Sequence, residues 1–291
     1  MTFHGSLVAI ITPFRHGKVD EKALGDLIEW QIANGTDGVV PCGTTGESAT
    51  LTHEEHKRVI EFTIEAVKRR VPVLAGTGSN STDTAIEFTR HARAAGADAA
   101  LLISPYYNKP TQEGLYRHHK AIAEAVDIPQ ILYNIPGRTA VNMAPATVAR
   151  LAQCPNIVGI KEGAGSLQQV SEIVQACGDR FTVLSGDDAL TLPMMAVGAK
   201  GVITVTANVA PADMSAMVDA WEAGNTAKAK ALHFKLYPLF QALFLETNPI
   251  PVKQALALMG RAAADVRLPL CLMSQENLDK LTRVVKDYGL I

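Results

Sequence analysis

Eight short, continuously apolar runs recur along the chain at intervals of about 25–30 residues, a period that only a repeated strand–helix unit explains. They are SLVAIIT (6–12), DGVVPCG (37–43), PVLAGT (72–77), DAALLIS (98–104), PQILYN (129–134), NIVGIKE (156–162), TVLSG (182–186) and GVITVTA (201–207). Their apolar residues do not alternate with polar ones, as they do in a half-exposed antiparallel sheet. Continuous runs suit strands of a parallel sheet covered on both faces. The segments between them are amphipathic. HEEHKRVIEFTIEAVKRR (53–70) sets Val59, Phe62 and Val67 at helical spacing, with Thr52 as its N-cap. Gly35, Gly96 and Gly198 each stand just before a run, where glycine adopts the left-handed conformation that closes a helix and turns the chain back.

Eight such units predict a (β/α)8 barrel over residues 1–224; an open doubly wound sheet is the structural rival. Residues 225–291 contain no clear strand and read as a C-terminal helical domain, with helices over 226–246, 249–261 and 274–288. Charge is nearly balanced, 27 basic against 29 acidic residues, so nothing points to nucleic acid or to a polybasic membrane patch. No apolar run approaches the roughly 20 residues of a membrane-spanning helix. The N-terminal stretch reads as a first strand and not as a signal peptide. Cys42, Cys154, Cys177 and Cys271 are widely spaced and form no CxxC pair, as expected of reduced thiols. A cytoplasmic protein is expected.

In such a barrel the loops after the strands build the active site. Polar residues collect there, in GTTGES, GTGSNS, SPYYNKP, YNIPGRT, KEGAG and SGDD. Lys161 sits at the end of an otherwise apolar strand. Either it is the partner of a buried carboxylate, or it is a working amine. A lysine with its ordinary pKa of about 10.4 is almost wholly charged at neutral pH, and burial shifts it toward the neutral form that attacks a carbonyl. Glu162 points to the opposite face, toward the helices. Tyr133 ends the preceding strand, either as packing or as a proton shuttle for Lys161. Thr44 and Thr45 lie in a glycine-flanked loop, which is either an ordinary turn or a carboxylate cradle. Arg138 follows a Pro-Gly turn, either solvated or as a bidentate clamp for a second carboxylate. His53 and His56, and the pair His118-His119, lack metal-site spacing, and no Cys/His cluster suits zinc. Asp187 or Asp188 reads as a helix N-cap.

GTTGES (43–48), SPYYNKP (104–110), YNIPGRT (133–139), GIKEG (159–163) and NPIPVK (248–253) together resemble the dihydrodipicolinate synthase family, over essentially the whole chain. The resemblance implies a lyase of the class I aldolase type, condensing pyruvate with L-aspartate 4-semialdehyde in the diaminopimelate route to lysine. It implies a covalent Schiff base on Lys161, with no cofactor and no metal. It makes Tyr133 the acid–base residue, relayed through Thr44 to Tyr107, which in the family enters a neighbouring subunit's site. Thr44 and Thr45 correspond to pyruvate contacts, Arg138 to the semialdehyde contact, and Gly186 and Ile203 to backbone lining. A homotetramer, a dimer of dimers, is implied. Ser48, Ala49, His53, His56, Asn80 and Tyr106 match a site for L-lysine as feedback inhibitor. Thr84 stands where sensitive bacterial members commonly carry glutamate, so inhibition that is partial or needs high lysine is expected. For His53 and His56 the plainer reading is a helix start with solvated imidazoles. The rival functions are N-acetylneuraminate lyase or a keto-deoxy-sugar aldolase, a barrel enzyme for phosphorylated sugars, and a non-catalytic metabolite-binding homologue.

Overall fold

The computed structural model describes residues 3–291; Met1 and Thr2 lie outside the described residues. The eight runs form β1 (Gly5–Ala9), β2 (Gly38–Val40), β3 (Leu74–Gly76), β4 (Ala99–Ile103), β5 (Gln130–Asn134), β6 (Ile157–Glu162), β7 (Thr182–Ser185) and β8 (Gly201–Thr204). Along the sheet the order is β2-β1-β8-β7-β6-β5-β4-β3. Apart from β1, which stands beside β8, every neighbour is consecutive in the chain, the cyclic order of a (β/α)8 barrel and not of a doubly wound sheet. All residues of β1 and β5 are buried, as continuous apolar runs require.

Every strand stops before the end of its apolar run or starts after its beginning. After β8 the chain turns at Thr206–Asn208, where the Asn208 amide donates to Ala9 O and accepts from Ile11 N. After β2, Cys42 takes a left-handed φ of 55° and starts a loop.

Two units compose the chain, one of residues up to Gly5 with Pro72–Ile203, the other of Ser6–Val71 with Thr204–Ile291. The first holds β3 to β7 with α3 (Thr82–Ala95), α4 (Gln112–Ala125), α5 (Pro136–Thr139), α6 (Pro145–Leu151), α7 (Leu167–Cys177) and α8 (Thr191–Ala196). Ala85, Ala100, Leu102, Ile122, Val126 and Ile128 form one of its cores, between α3, α4 and β4.

The second unit pairs β1 with β2 and carries α1 (Glu21–Ala33), α2 (His53–Val67), α9 (Pro211–Glu222), α10 (Thr226–Ala242), α11 (Ile250–Leu258) and α12 (Gln275–Tyr288). Thr52 caps α2 as expected, in a reciprocal capping box with Glu55. That helix ends at Val67, not at residue 70, because Lys68 and Arg69 both take left-handed φ. Its buried face is His56, Val59, Ile60, Thr63 and Val67. α10 stops at Ala242 and α11 at Leu258, short of the expected 246 and 261, each passing into a looser turn. Gly35, Gly96 and Gly198 all have positive φ, the turn device their position predicts. Among the described residues no helix is long and apolar enough to cross a membrane.

Candidate active site

In the first unit, β5 and β6 end side by side in parallel register, Tyr133 opposite Lys161 and Asn134 opposite Glu162. Strand alternation sends the two pairs to opposite faces. On one face the Lys161 Nζ lies 4.4 Å from the centroid of the Tyr133 ring, with each residue 6% exposed. Among the described residues no carboxylate pairs with Lys161, so the ion-pair reading finds no partner. On the other face the Asn134 Nδ2 donates to both Glu162 oxygens, at 3.2 and 3.0 Å. Gln169 Nε2 from α7 donates to the same carboxylate at 3.1 Å, and Ala164 N at 2.7 Å. Asn142 closes the ring by bonding both Asn134 and Gln169. Glu162 therefore faces α7, as its place after Lys161 predicts. Burial pushes its carboxyl above the usual range, and these donors oppose that shift.

Gly186 follows β7 and its N–H donates to Glu162 O at 2.7 Å; a Cβ there would stand 3.0 Å from the same oxygen. Ile203 is buried within β8. Asp187, not Asp188, is the N-cap, accepting from Ala189 N and Leu190 N. Arg138 is exposed on the short helix α5, directly after Tyr133 and Asn134. Tyr107 is 89% exposed at a left-handed φ of 72°. Beside it, Asn80 Nδ2 donates to Tyr106 O at 3.3 Å, so these two members of the expected lysine set meet. Thr84 lies in the first turn of α3, its N–H bonded to Ser81 Oγ. His118 and His119, both buried, cross at 84° with centroids 4.9 Å apart, and His118 Nδ1 shares a 2.9 Å hydrogen bond with Thr82 Oγ1.

In the second unit, Thr44 and Thr45 occupy the loop after β2. The loop is tightly wound: Gly46 N bonds Gly43 O, Glu47 N bonds Thr44 O, and Thr12 Oγ1 holds Gly46 O. A Cβ at Gly46 would lie 3.0 Å from Cys42 N, so glycine is needed for the close approach. Thr45 is 3% exposed, and its Oγ1 accepts a 3.0 Å hydrogen bond from Asn248 Nδ2. Glu47 receives Lys253 Nζ and, at 3.0 Å, the backbone N–H of Arg267. Lys253 Nζ also donates to Asp265 O at 2.7 Å and lies 4.1 Å from the Phe14 ring centroid. Arg267 forks onto both oxygens of Glu55. Burial draws the Lys253 ammonium below its ordinary pKa, while Glu47 pulls it back up. Ser48 is half-buried and Ala49 exposed. His53 is exposed, but His56 is 4% exposed, packed in the inner face of α2. The reading of both imidazoles as solvated therefore fails at His56, one helical turn from the exposed end.

The sequence alone assigns no role to the polar residues of NPIPVK. In the fold they are Asn248 and Lys253, which bond Thr45 and Glu47 of the threonine loop. The available signal was Lys253, a cation inside the apolar run IPVKQALAL. Among the described residues no group of three or more His, Cys, Asp or Glu is placed to hold a metal ion.

Fold and site define a (β/α)8-barrel enzyme with a buried lysine–tyrosine pair at adjacent strand ends. Residues 2–288 match the Dihydrodipicolinate synthetase family, and the chain belongs to it. A 4-hydroxy-tetrahydrodipicolinate synthase of Syntrophus aciditrophicus is 64% identical over 289 residues, covering 99% of both chains. The crystal structure of dihydrodipicolinate synthase from Aquifex aeolicus superimposes with a TM-score of 0.98 at 53% identity, covering 99% of both chains. A structure of the Cyanidioschyzon merolae enzyme, described with lysine bound, has a TM-score of 0.97 at 40% identity and 99% coverage of both chains.

Proposed function

We propose that the chain condenses pyruvate with L-aspartate 4-semialdehyde to 4-hydroxy-tetrahydrodipicolinate, through a Schiff base on Lys161. The observation that carries this reading is the Lys161 amine, 6% exposed and set against the Tyr133 ring, in a chain of this family. In its neutral form the amine adds to the pyruvate ketone. Loss of water leaves an iminium, whose positive nitrogen draws electrons and makes the methyl group acidic. Loss of a methyl proton yields the enamine. Its terminal carbon bonds to the aldehyde carbon of the second substrate, and the aldehyde oxygen takes a proton. The amine of the second substrate then attacks the imine carbon, closes the ring and releases Lys161. The lysine is itself the electron sink.

Tyr133 moves the protons, relayed through Thr44 to Tyr107 of a neighbouring subunit. The exposure of Tyr107 supports that role, because a side chain held out at 89% exposure serves no packing purpose in its own chain. Thr44 and Thr45 hold the pyruvate carboxylate, Arg138 the semialdehyde carboxylate, and the backbones of Gly186 and Ile203 line the site. The use of Tyr107 makes a tight dimer necessary for a complete relay, within a homotetramer built as a dimer of dimers. The same reading divides the chain into a barrel, 1–224, and a helical region, 225–291, in which the described elements are helices alone.

The test is incubation with pyruvate, reduction with borohydride, and peptide mapping. A pyruvate-derived adduct on Lys161 is expected; full turnover with residue 161 unmodified overturns the mechanism. Aspartate semialdehyde then supports turnover, whereas N-acetylneuraminate does not. Feedback by L-lysine is part of the same reading, supported by the lysine-bound relative and the Asn80–Tyr106 contact. Thr84 offers no carboxylate to an ammonium group, so partial inhibition is expected. Initial rates unchanged at millimolar L-lysine reject the effector site.

A further inference from the structure

Thr45 has one hydroxyl proton and two acceptor lone pairs, and its neighbours decide where the proton goes. The hydroxyl is buried, and the Asn248 Nδ2 supplies it with a donor at 3.0 Å. An amide NH2 cannot accept, so the hydroxyl meets Asn248 through a lone pair and its proton turns elsewhere. We infer that Asn248 is a positioning residue: by donating to Thr45 Oγ1, it commits the Thr45 proton to an acceptor on the other side, the substrate carboxylate. The inference rests on the reading of Thr45 as a carboxylate contact.

The remaining structure keeps this arrangement rigid. Two residues beyond Thr45, Glu47 is locked by Lys253 and by the Arg267 N–H; five residues beyond Asn248, Lys253 is the other end of that lock. Lys253 N donates to Pro249 O, so the ion pair and the amide belong to one continuous helical start. The threonine loop and the Asn248 segment are thus joined twice, once by a neutral bond that orients a proton and once by a buried charge pair that fixes the distance. A loop that needed only a fixed shape would have it from the ion pair alone. The second bond ends on the hydroxyl itself.

N248D tests this directly. It is nearly isosteric, yet the carboxylate offers only acceptors, so the Thr45 proton turns toward residue 248 and away from substrate. The Michaelis constant for pyruvate is expected to rise at least tenfold in N248D and less in N248A. The kcat at saturating pyruvate and the Michaelis constant for aspartate semialdehyde should stay within about threefold, consistent with a lost ground-state contact. T45V and the double variant T45V/N248A complete a cycle: once the hydroxyl is gone, N248A should add nothing to the Michaelis constant. N248D within twofold of the parent, or N248A fully additive with T45V, overturns the inference. T45V alone leaving the constant unchanged instead sinks the carboxylate reading of Thr45, and the two failures are thereby separate. Should N248D not fold by circular dichroism, additivity in the N248A cycle decides between the two outcomes.

Discussion

Tyr133 and Lys161 are directly opposed residues of adjacent parallel strands, and the lysine nitrogen stands 4.4 Å from the tyrosine ring centroid. Their closeness is a property of sheet register: a slip of one residue would send one of them to the helix face. In the proposed mechanism the phenol and the amine act as a unit.

Y133F retains the ring and removes the proton carrier. Its kcat should fall about 10²–10⁴-fold, the usual contribution of a positioned acid–base group. Borohydride trapping with pyruvate should still reach Lys161, but more slowly. A kcat within threefold of the parent would remove Tyr133 from the mechanism.

Behind the pair, Glu162 is the acceptor on which Asn134, Gln169 and Ala164 N–H converge. E162Q turns one acceptor oxygen into a donor facing donors, so about 1–3 kcal/mol of stability should be lost, read by chemical unfolding. Because burial raises its pKa, the parent carboxyl favours folding most below the ordinary carboxylate range and loses that contribution as pH rises through the raised value. E162Q should abolish that part of the pH profile. An unchanged midpoint and profile would count against the clamp.

Lys253 and Glu47 are both buried, so neither charge has water to fall back on. K253M strands the carboxylate and should cost about 3–5 kcal/mol. K253M/E47Q removes both charges and should regain much of that loss. A single variant as stable as the parent, or a double variant worse than the sum, would contradict this account.

His118 is held at about 4, well below the ordinary imidazole value, because burial disfavours its charged form, and His119 is drawn down for the same reason with the neighbouring His118 adding to it. The unfolded chain binds protons near pH 6.5 that the folded chain refuses. Stability should be complete above about pH 6.5 and fall as the pH drops toward about 4, by on the order of 3 kcal/mol for His118. Urea unfolding from pH 7.5 to 4.5 measures it, and H119F should flatten the slope. Stability that rises on acidification would refute the assignment.

The apolar runs alone determined the eight strands, because a parallel strand covered on both faces is legible from its own few residues. They also singled out Lys161 and Tyr133, since a polar group at the end of an apolar run stands out against it. Alternation did the same for Glu162. What the folded chain decided were contacts between residues remote in sequence: Asn248 with Thr45, 203 positions apart, and Lys253 with Glu47, 206 apart. No local pattern encodes such a pairing, because each partner's environment is made by the other. The burial of His56 was lost for a related reason, since a helix's inner face is set by what packs on it. Local pattern carries the strands and their alternation; the partners of buried groups come only from the closed three-dimensional arrangement.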